Sequence, residues 1–253
     1  MNGAVLFARF AYPPNRLGYC GPADHGALLE YGSAGVADAG LVQLARGFEG
    51  AWPYLELIAG AAGIPDPLDP RVVEAYWIGN DLLHRVPAGL LGDSLETRFR
   101  GPAGRGWSGL TEVVPVGAVP HHAFHVFAVY PWVGLLRTGR VDQPLHVLDR
   151  CRVRWGEVVA VDGDVARVRS RPLTWDGHTL GLGEPRVEQA VRAVEGVGFV
   201  PGLAPGARVA LHWDWVCDVL TPRRLRSLQR VTADQLDLVN RRAGVSGPAR
   251  ILG

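Results

Sequence analysis

The chain has 253 residues, of which 47% are hydrophobic and 20% are charged, a composition typical of a folded globular protein. Its formal net charge of +1 gives no reason to expect a nucleic acid or an anionic membrane surface as partner. Three cysteines are too few for a disulfide framework, and the N-terminal segment lacks the features of a signal peptide. No apolar run is long enough to span a membrane, so we predict a cytoplasmic protein without a membrane span.

Residues 1–145 are predicted to form a mostly helical domain. Apolar residues recur at helical spacing in three early segments, which are 21–35, 38–64 and 66–86. In the last of these, Asp69 is a good N-cap for a helix that begins at Pro70. Segment 119–139 has the aromatic and β-branched content of a strand, but its length and spacing favour a helix with a break near Pro131.

Residues 146–253 alternate with period two and are predicted to form a small antiparallel β-barrel followed by C-terminal helices. Strands are expected from about residue 147 onwards, with a hairpin turn at Asp162-Gly163 and a further single strand over 206–220. Segment 184–203 resembles an inserted helix, and the closing segment offers caps at Thr221 and Thr232. The predicted fold class is therefore α+β.

Two stretches of this second half carry a family resemblance. "CRVRWGEVVAVDGDVARV" (151–168) and "PGARVALHWDWVCDVLT" (205–221), followed by a helix, resemble the HypC-type chaperones of [NiFe]-hydrogenase maturation. The resemblance implies a HypC-like barrel in which Cys151 and His212 hold an iron–cyanide–carbonyl precursor. The sequence departs from that family in its internal cysteine, its longer linker between the strands and the tryptophans of "HWDW".

The residue types at these two positions suit a metal. A thiolate and an imidazole are good ligands for iron or nickel, and the flanking Arg150 and Arg152 are expected to lower the pKa of the Cys151 thiol. The alternative is that Cys151 packs as a small apolar residue and that His212 bonds to a backbone group. The sequence leaves both interpretations open.

A second resemblance concerns the whole chain. Its stretches "FARFAYPPNRLGYCGP" and "HHAFHVFAVYPWVG" look similar to an uncharacterised actinobacterial family encoded beside [NiFe]-hydrogenase genes. The two resemblances together imply a non-enzymatic accessory protein that binds the hydrogenase large subunit or another maturation factor.

An enzymatic alternative rests on Cys20. Its "CGP" context resembles the papain-like bacteriocin-processing peptidases, and a cysteine at a helix N-terminus has a stabilised thiolate. A thiol hydrolase or transferase would pair Cys20 with a histidine of 121–125, with His122 as the candidate base, and would place Asn15 near the oxyanion.

A third interpretation is a metal-binding protein with a different ligand set. His121 and His125 are four residues apart, which places both on one helical face at bidentate spacing. Cys20 or His25 would supply a third ligand for zinc, nickel or iron.

Overall fold

The computed structural model of the chain describes residues 1–103 and 114–241. Helices and a five-stranded mixed sheet confirm the predicted α+β class. None of the described helices is both long enough and apolar enough to cross a membrane.

Ten helices, a 3₁₀ turn and a π-helical turn are found in the described ranges. They are α1 (Gly3–Arg16), α2 (His25–Ala34), α3 (Ala39–Arg46), α4 (Trp52–Ala62), α5 (Pro70–Trp77), the 3₁₀ turn Asp81–Arg85, α6 (Ala88–Ala103), α7 (His122–Phe124) with the π-helical turn His125–Val129 that continues it, α8 (Trp132–Arg137), α9 (Asp142–Cys151) and α10 (Pro222–Arg241). Asp69 caps α5 as predicted, because its carboxylate accepts the backbone N–H of Arg71. The helix break predicted near Pro131 lies between the π-helical turn and α8.

The strands are β1 (Arg154–Asp162), β2 (Val165–Ser170), β3 (Leu173–Trp175), β4 (Leu180–Leu182), β5 (Arg186–Val191), β6 (Ala193–Val194), β7 (Val197–Gly198), β8 (Arg208–His212) and β9 (Trp215–Val219). Five of them form a sheet in the order β1-β2-β5-β9-β8, which closes because β1 also pairs with β8. The predicted turn at Asp162-Gly163 joins β1 to β2, and Gly163 takes a left-handed φ of 54° there. The β5–β9 contact is a single parallel pair, Val191 with Trp215.

Helix α1 is the central element, and the sequence patterns did not predict it. Nearly all of its residues are buried, so it lacks the polar face by which a surface helix is recognised. Its N-cap Asn2 accepts two backbone N–H groups, while Pro13 and Pro14 occupy its last turns. Because α1 packs on the helices and on β8 and β9, one hydrophobic core contains residues of both predicted domains. The boundary at 145/146 stays a prediction, and α9 runs across it.

Four local predictions are wrong. Residues 147–151 belong to helix α9 rather than to a strand, and 184–203 contains β5, β6 and β7 rather than a helix. The segment 206–220 is the hairpin β8–β9 rather than one strand, and Thr232 lies inside α10 rather than at a cap. In each case tertiary packing overrides a weak local preference, since short apolar runs fit either element.

Candidate metal centre

A cavity of about 110 Å³ lies where α1, α5, α7, α9 and the β8–β9 turn meet. Its lining is aromatic and sulfur-containing and includes no carboxylate among the described residues. The lining residues are Pro14, Tyr19, Cys20, Phe48, Gly50, Ala51, Tyr76, Trp77, His122, His125, Tyr130, Trp132, Val147, Cys151, His212 and Trp213.

Three potential metal ligands converge in this cavity. His122, Cys151 and His212 each offer a donor atom, and these atoms all lie within 4.8 Å of one another. All three side chains are buried. They come from three separate elements, since His122 begins α7, Cys151 ends α9 and His212 ends β8.

The orientation of His212 follows from the prolines of α1. Pro14 has no backbone N–H, so the carbonyl of Phe10, four residues earlier, lacks its helical partner. His212 fills that position, because its Nδ1–H donates to the Phe10 carbonyl at 2.6 Å. The Nε2 lone pair of His212 is thereby left without a partner among the described residues.

The orientation of His122 follows from the end of α9. The last carbonyls of a helix have no intrahelical partner, and the Cys151 carbonyl accepts Nε2–H of His122 at 2.7 Å. This bond leaves the His122 Nδ1 as the lone-pair nitrogen, which faces the Tyr76 hydroxyl at 3.3 Å. Both histidines are thus held through one nitrogen by a backbone carbonyl, the arrangement usual for histidines that ligate metals.

Burial controls the protonation of these groups. It lowers the pKa of His122 to about 4 and the pKa of His212 well below its usual range, so both imidazoles are neutral at pH 7. Burial also raises the pKa of the Cys151 thiol far above its usual range. The expected lowering by its arginine neighbours is wrong, because Arg150 pairs with Glu188 and Arg152 with Asp149.

The other predicted ligands lie apart from this cluster. His125 lines the cavity, with its Nδ1 at 3.2 Å from the Tyr54 hydroxyl. His121 does not line it, and its Nδ1 accepts the backbone N–H of Ala123 as the cap of α7. His25 is exposed at the start of α2. His121, His125 and His25 therefore do not form one metal site.

Cys20 lines the cavity from the loop between α1 and α2, but two premises of its catalytic role are wrong. Helix α2 begins only at His25 with Asp24 as its cap, so Cys20 is not at a helix N-terminus. Burial raises the pKa of the Cys20 thiol to about 12. Asn15 is not an oxyanion donor, because its amide nitrogen donates to the carbonyls of Cys20 and Pro22.

The loop that carries Cys20 depends on Gly21. A methyl group there would lie 2.4 Å from the ring of Phe48, and φ is +84°. Gly18 has a similar φ of +76° but no neighbour within 4 Å, so it is a matched control for backbone strain. We expect Gly21→Ala to lower the free energy of unfolding by about 2 kcal/mol more than Gly18→Ala, as measured by urea denaturation. Equal losses in the two variants would contradict the tight packing of the loop.

The fold and the cavity define an α+β protein with a buried cysteine–histidine cluster. Residues 1–246 match the Family of unknown function (DUF6390), and the chain belongs to that family. Neither the curated proteins nor the solved structures contain a match to the chain.

Proposed function

We propose that this protein binds a transition metal ion through the Cys151 thiolate, His122 Nδ1 and His212 Nε2. The observation that carries the proposal is that one ligand atom of each of these three residues lies within 4.8 Å of the other two, and the free ring nitrogens follow from the carbonyl bonds of the two histidines. Ligand atoms on one tetrahedral metal lie about 3.5 Å apart, given bond lengths of about 2.0–2.3 Å. Side-chain adjustments of about 1 Å therefore suffice to close the site.

The cluster favours particular metals. Thiolate and imidazole ligands suit zinc, nickel or iron, whereas calcium and magnesium require oxygen ligands. The neutral imidazoles are already in the protonation state that binds metal. The thiol has to release its proton on binding, so metal affinity increases with pH.

The proposed biological role is that of an accessory protein in [NiFe]-hydrogenase assembly, with an iron precursor or nickel as the bound metal. Support for this role comes from the HypC-type resemblance of 151–168 and 205–221, which singles out Cys151 and His212. Those two residues are members of the same buried cluster. As part of this proposal, the closed five-stranded sheet is a HypC-like barrel.

The metal proposal is tested with untagged protein, purified without oxygen and titrated with Co(II). We expect about one equivalent to bind and to produce the near-ultraviolet charge-transfer band of a thiolate–cobalt bond. Cys217→Ala is the matched control, because Cys217 is equally buried but does not line the cavity. Absence of the band in the wild-type protein, or its persistence in Cys151→Ser, would overturn the proposed ligand set.

The assembly role is tested separately by affinity capture from a hydrogenase-expressing host. We expect the wild-type chain to retain the large subunit or a maturation factor. Capture of neither protein, while Co(II) still binds, would reject the hydrogenase role and leave the metal site intact.

A further inference from the structure

Two indole groups in the cavity lack hydrogen-bond acceptors. The side chains of Trp77 and Trp213 both line the cavity, and each is at most 4% exposed. Their Nε1–H groups are buried, with no acceptor among the described residues. A buried donor without an acceptor costs about 1–3 kcal/mol, and the indole N–H can only donate. An occupant of the cavity that carries acceptors would satisfy these donors.

A metal ion alone does not satisfy these donors. A cation satisfies the lone pairs of His122 and His212, but it cannot accept a hydrogen bond. Trp77 is close to both ligands, with its ring centroid 4.6 Å from that of His122 and 5.4 Å from that of His212.

The backbone at Trp213 is a second, independent observation. Because His212 pairs with Trp215, the β8–β9 turn has only two residues, Trp213 and Asp214. Trp213 takes a φ of +52°, a conformation that is strained for a side chain of this size and that tight hairpin turns normally reserve for glycine or asparagine. The Tyr19 ring stacks on the indole at a centroid distance of 4.3 Å. A residue with an energetically unfavourable backbone conformation therefore lies at this edge of the cavity.

We propose that the metal held by His122, Cys151 and His212 carries a small anionic ligand that accepts hydrogen bonds from the indole N–H groups of Trp77 and Trp213. This inference rests on the proposed metal site. Three protein ligands leave a fourth tetrahedral position open for such a ligand. The cavity volume of about 110 Å³ equals that of about three or four water molecules and matches a metal with a ligand of two or three atoms.

Cys20 is the competing occupant of the fourth position. It lines the same cavity, and its charge would oppose ionisation of Cys151. A Cys20 thiolate on the metal would close the site and exclude an added anion. The two unpartnered indole donors favour the external ligand instead.

The test is a titration of the Co(II)-loaded protein with azide, followed by visible absorption. We expect azide to bind the wild-type protein and to bind Trp213→Phe about tenfold more weakly, as for one lost hydrogen bond to a charged acceptor. The affinity for Co(II) itself should be unchanged in that variant. Trp132→Phe is the matched control, since Trp132 lines the cavity but its indole nitrogen is not a buried unpartnered donor.

The outcomes separate the two proposals. Co(II) binding without any response to azide, or equal azide affinity in wild type and Trp213→Phe, would overturn the anionic ligand and leave the metal site standing. An azide response that appears only in Cys20→Ser would show that Cys20 closes the site, which also overturns this inference. Failure to bind Co(II) at all would overturn the metal site and the anionic ligand together. Thermal unfolding of the metal-free variants verifies that each one folds.

Discussion

Replacing Cys151 with serine is expected to lower the affinity for Co(II) by at least about 100-fold. Loss of a hydrogen-bonding partner behind a metal ligand already costs about 10–100-fold, and Cys151 is proposed as a ligand itself. A serine hydroxyl is a poor substitute for a soft thiolate, because its oxygen is a hard ligand that keeps its proton at neutral pH. Competition with a chromophoric chelator measures the change.

Two further variants show whether the loss of Co(II) affinity is specific to the proposed ligands. Cys217→Ser places the same hydroxyl at another buried cysteine and should leave the Co(II) affinity unchanged. His212→Gln should lower it as strongly as Cys151→Ser, because Nε2 is the proposed donor atom. A Co(II) affinity in Cys151→Ser equal to that of the wild type would show that Cys151 is not a metal ligand. That result would contradict the proposed site.

The metal-free protein is expected to lose about 5 kcal/mol of unfolding free energy between about pH 7.5 and pH 5.5. Burial lowers the pKa of four histidines, to about 3 for His121, to about 4 for His122, and well below the usual range for His125 and His212. The unfolded chain binds protons near pH 6.5 while the folded chain does not, so acid favours unfolding. Each histidine contributes about 1.4 kcal/mol in total over this window, because half of its titration in the unfolded chain is complete at pH 6.5.

Urea denaturation at the two pH values measures this effect. The stability is fully present above pH 6.5 and declines as the pH falls towards the folded-state pKa values. His122→Gln should reduce the difference between the two pH values by about one histidine's share, about 1.4 kcal/mol. The same unfolding free energy at both pH values would show that the histidines are hydrated rather than buried in the folded protein.

Local chemistry made some of the structure predictable. The Asp69-Pro70 helix start, the Asp162-Gly163 turn and the break near Pro131 each depend on a few adjacent residues whose backbone preferences are strong. The pairing of Cys151 with His212 came from a resemblance between strand patterns, and the two residues do lie in one cluster. Cys20 and His125 were singled out by spacing and also line the cavity.

The third ligand was not predictable in the same way. Four-residue spacing pointed to His121 and His125, but His121 caps α7 and His122 is the residue that faces Cys151. The Pro13-Pro14 pair is a signal for His212 only, because prolines in a helix release backbone carbonyls and His212 donates to the released carbonyl of Phe10. That signal becomes readable only once α1 is known to be a buried helix.

The sequence by itself determined the α+β class, several caps and turns, and the residue types available for a soft-metal site. These features follow from interactions between near neighbours in the chain. Only the tertiary structure decided which histidines join Cys151, since the choice depends on where α1, α7, α9 and β8 meet. It also reversed the expected pKa shift of the thiol, because the cost of burying a charge outweighs the effect of arginines that are already paired.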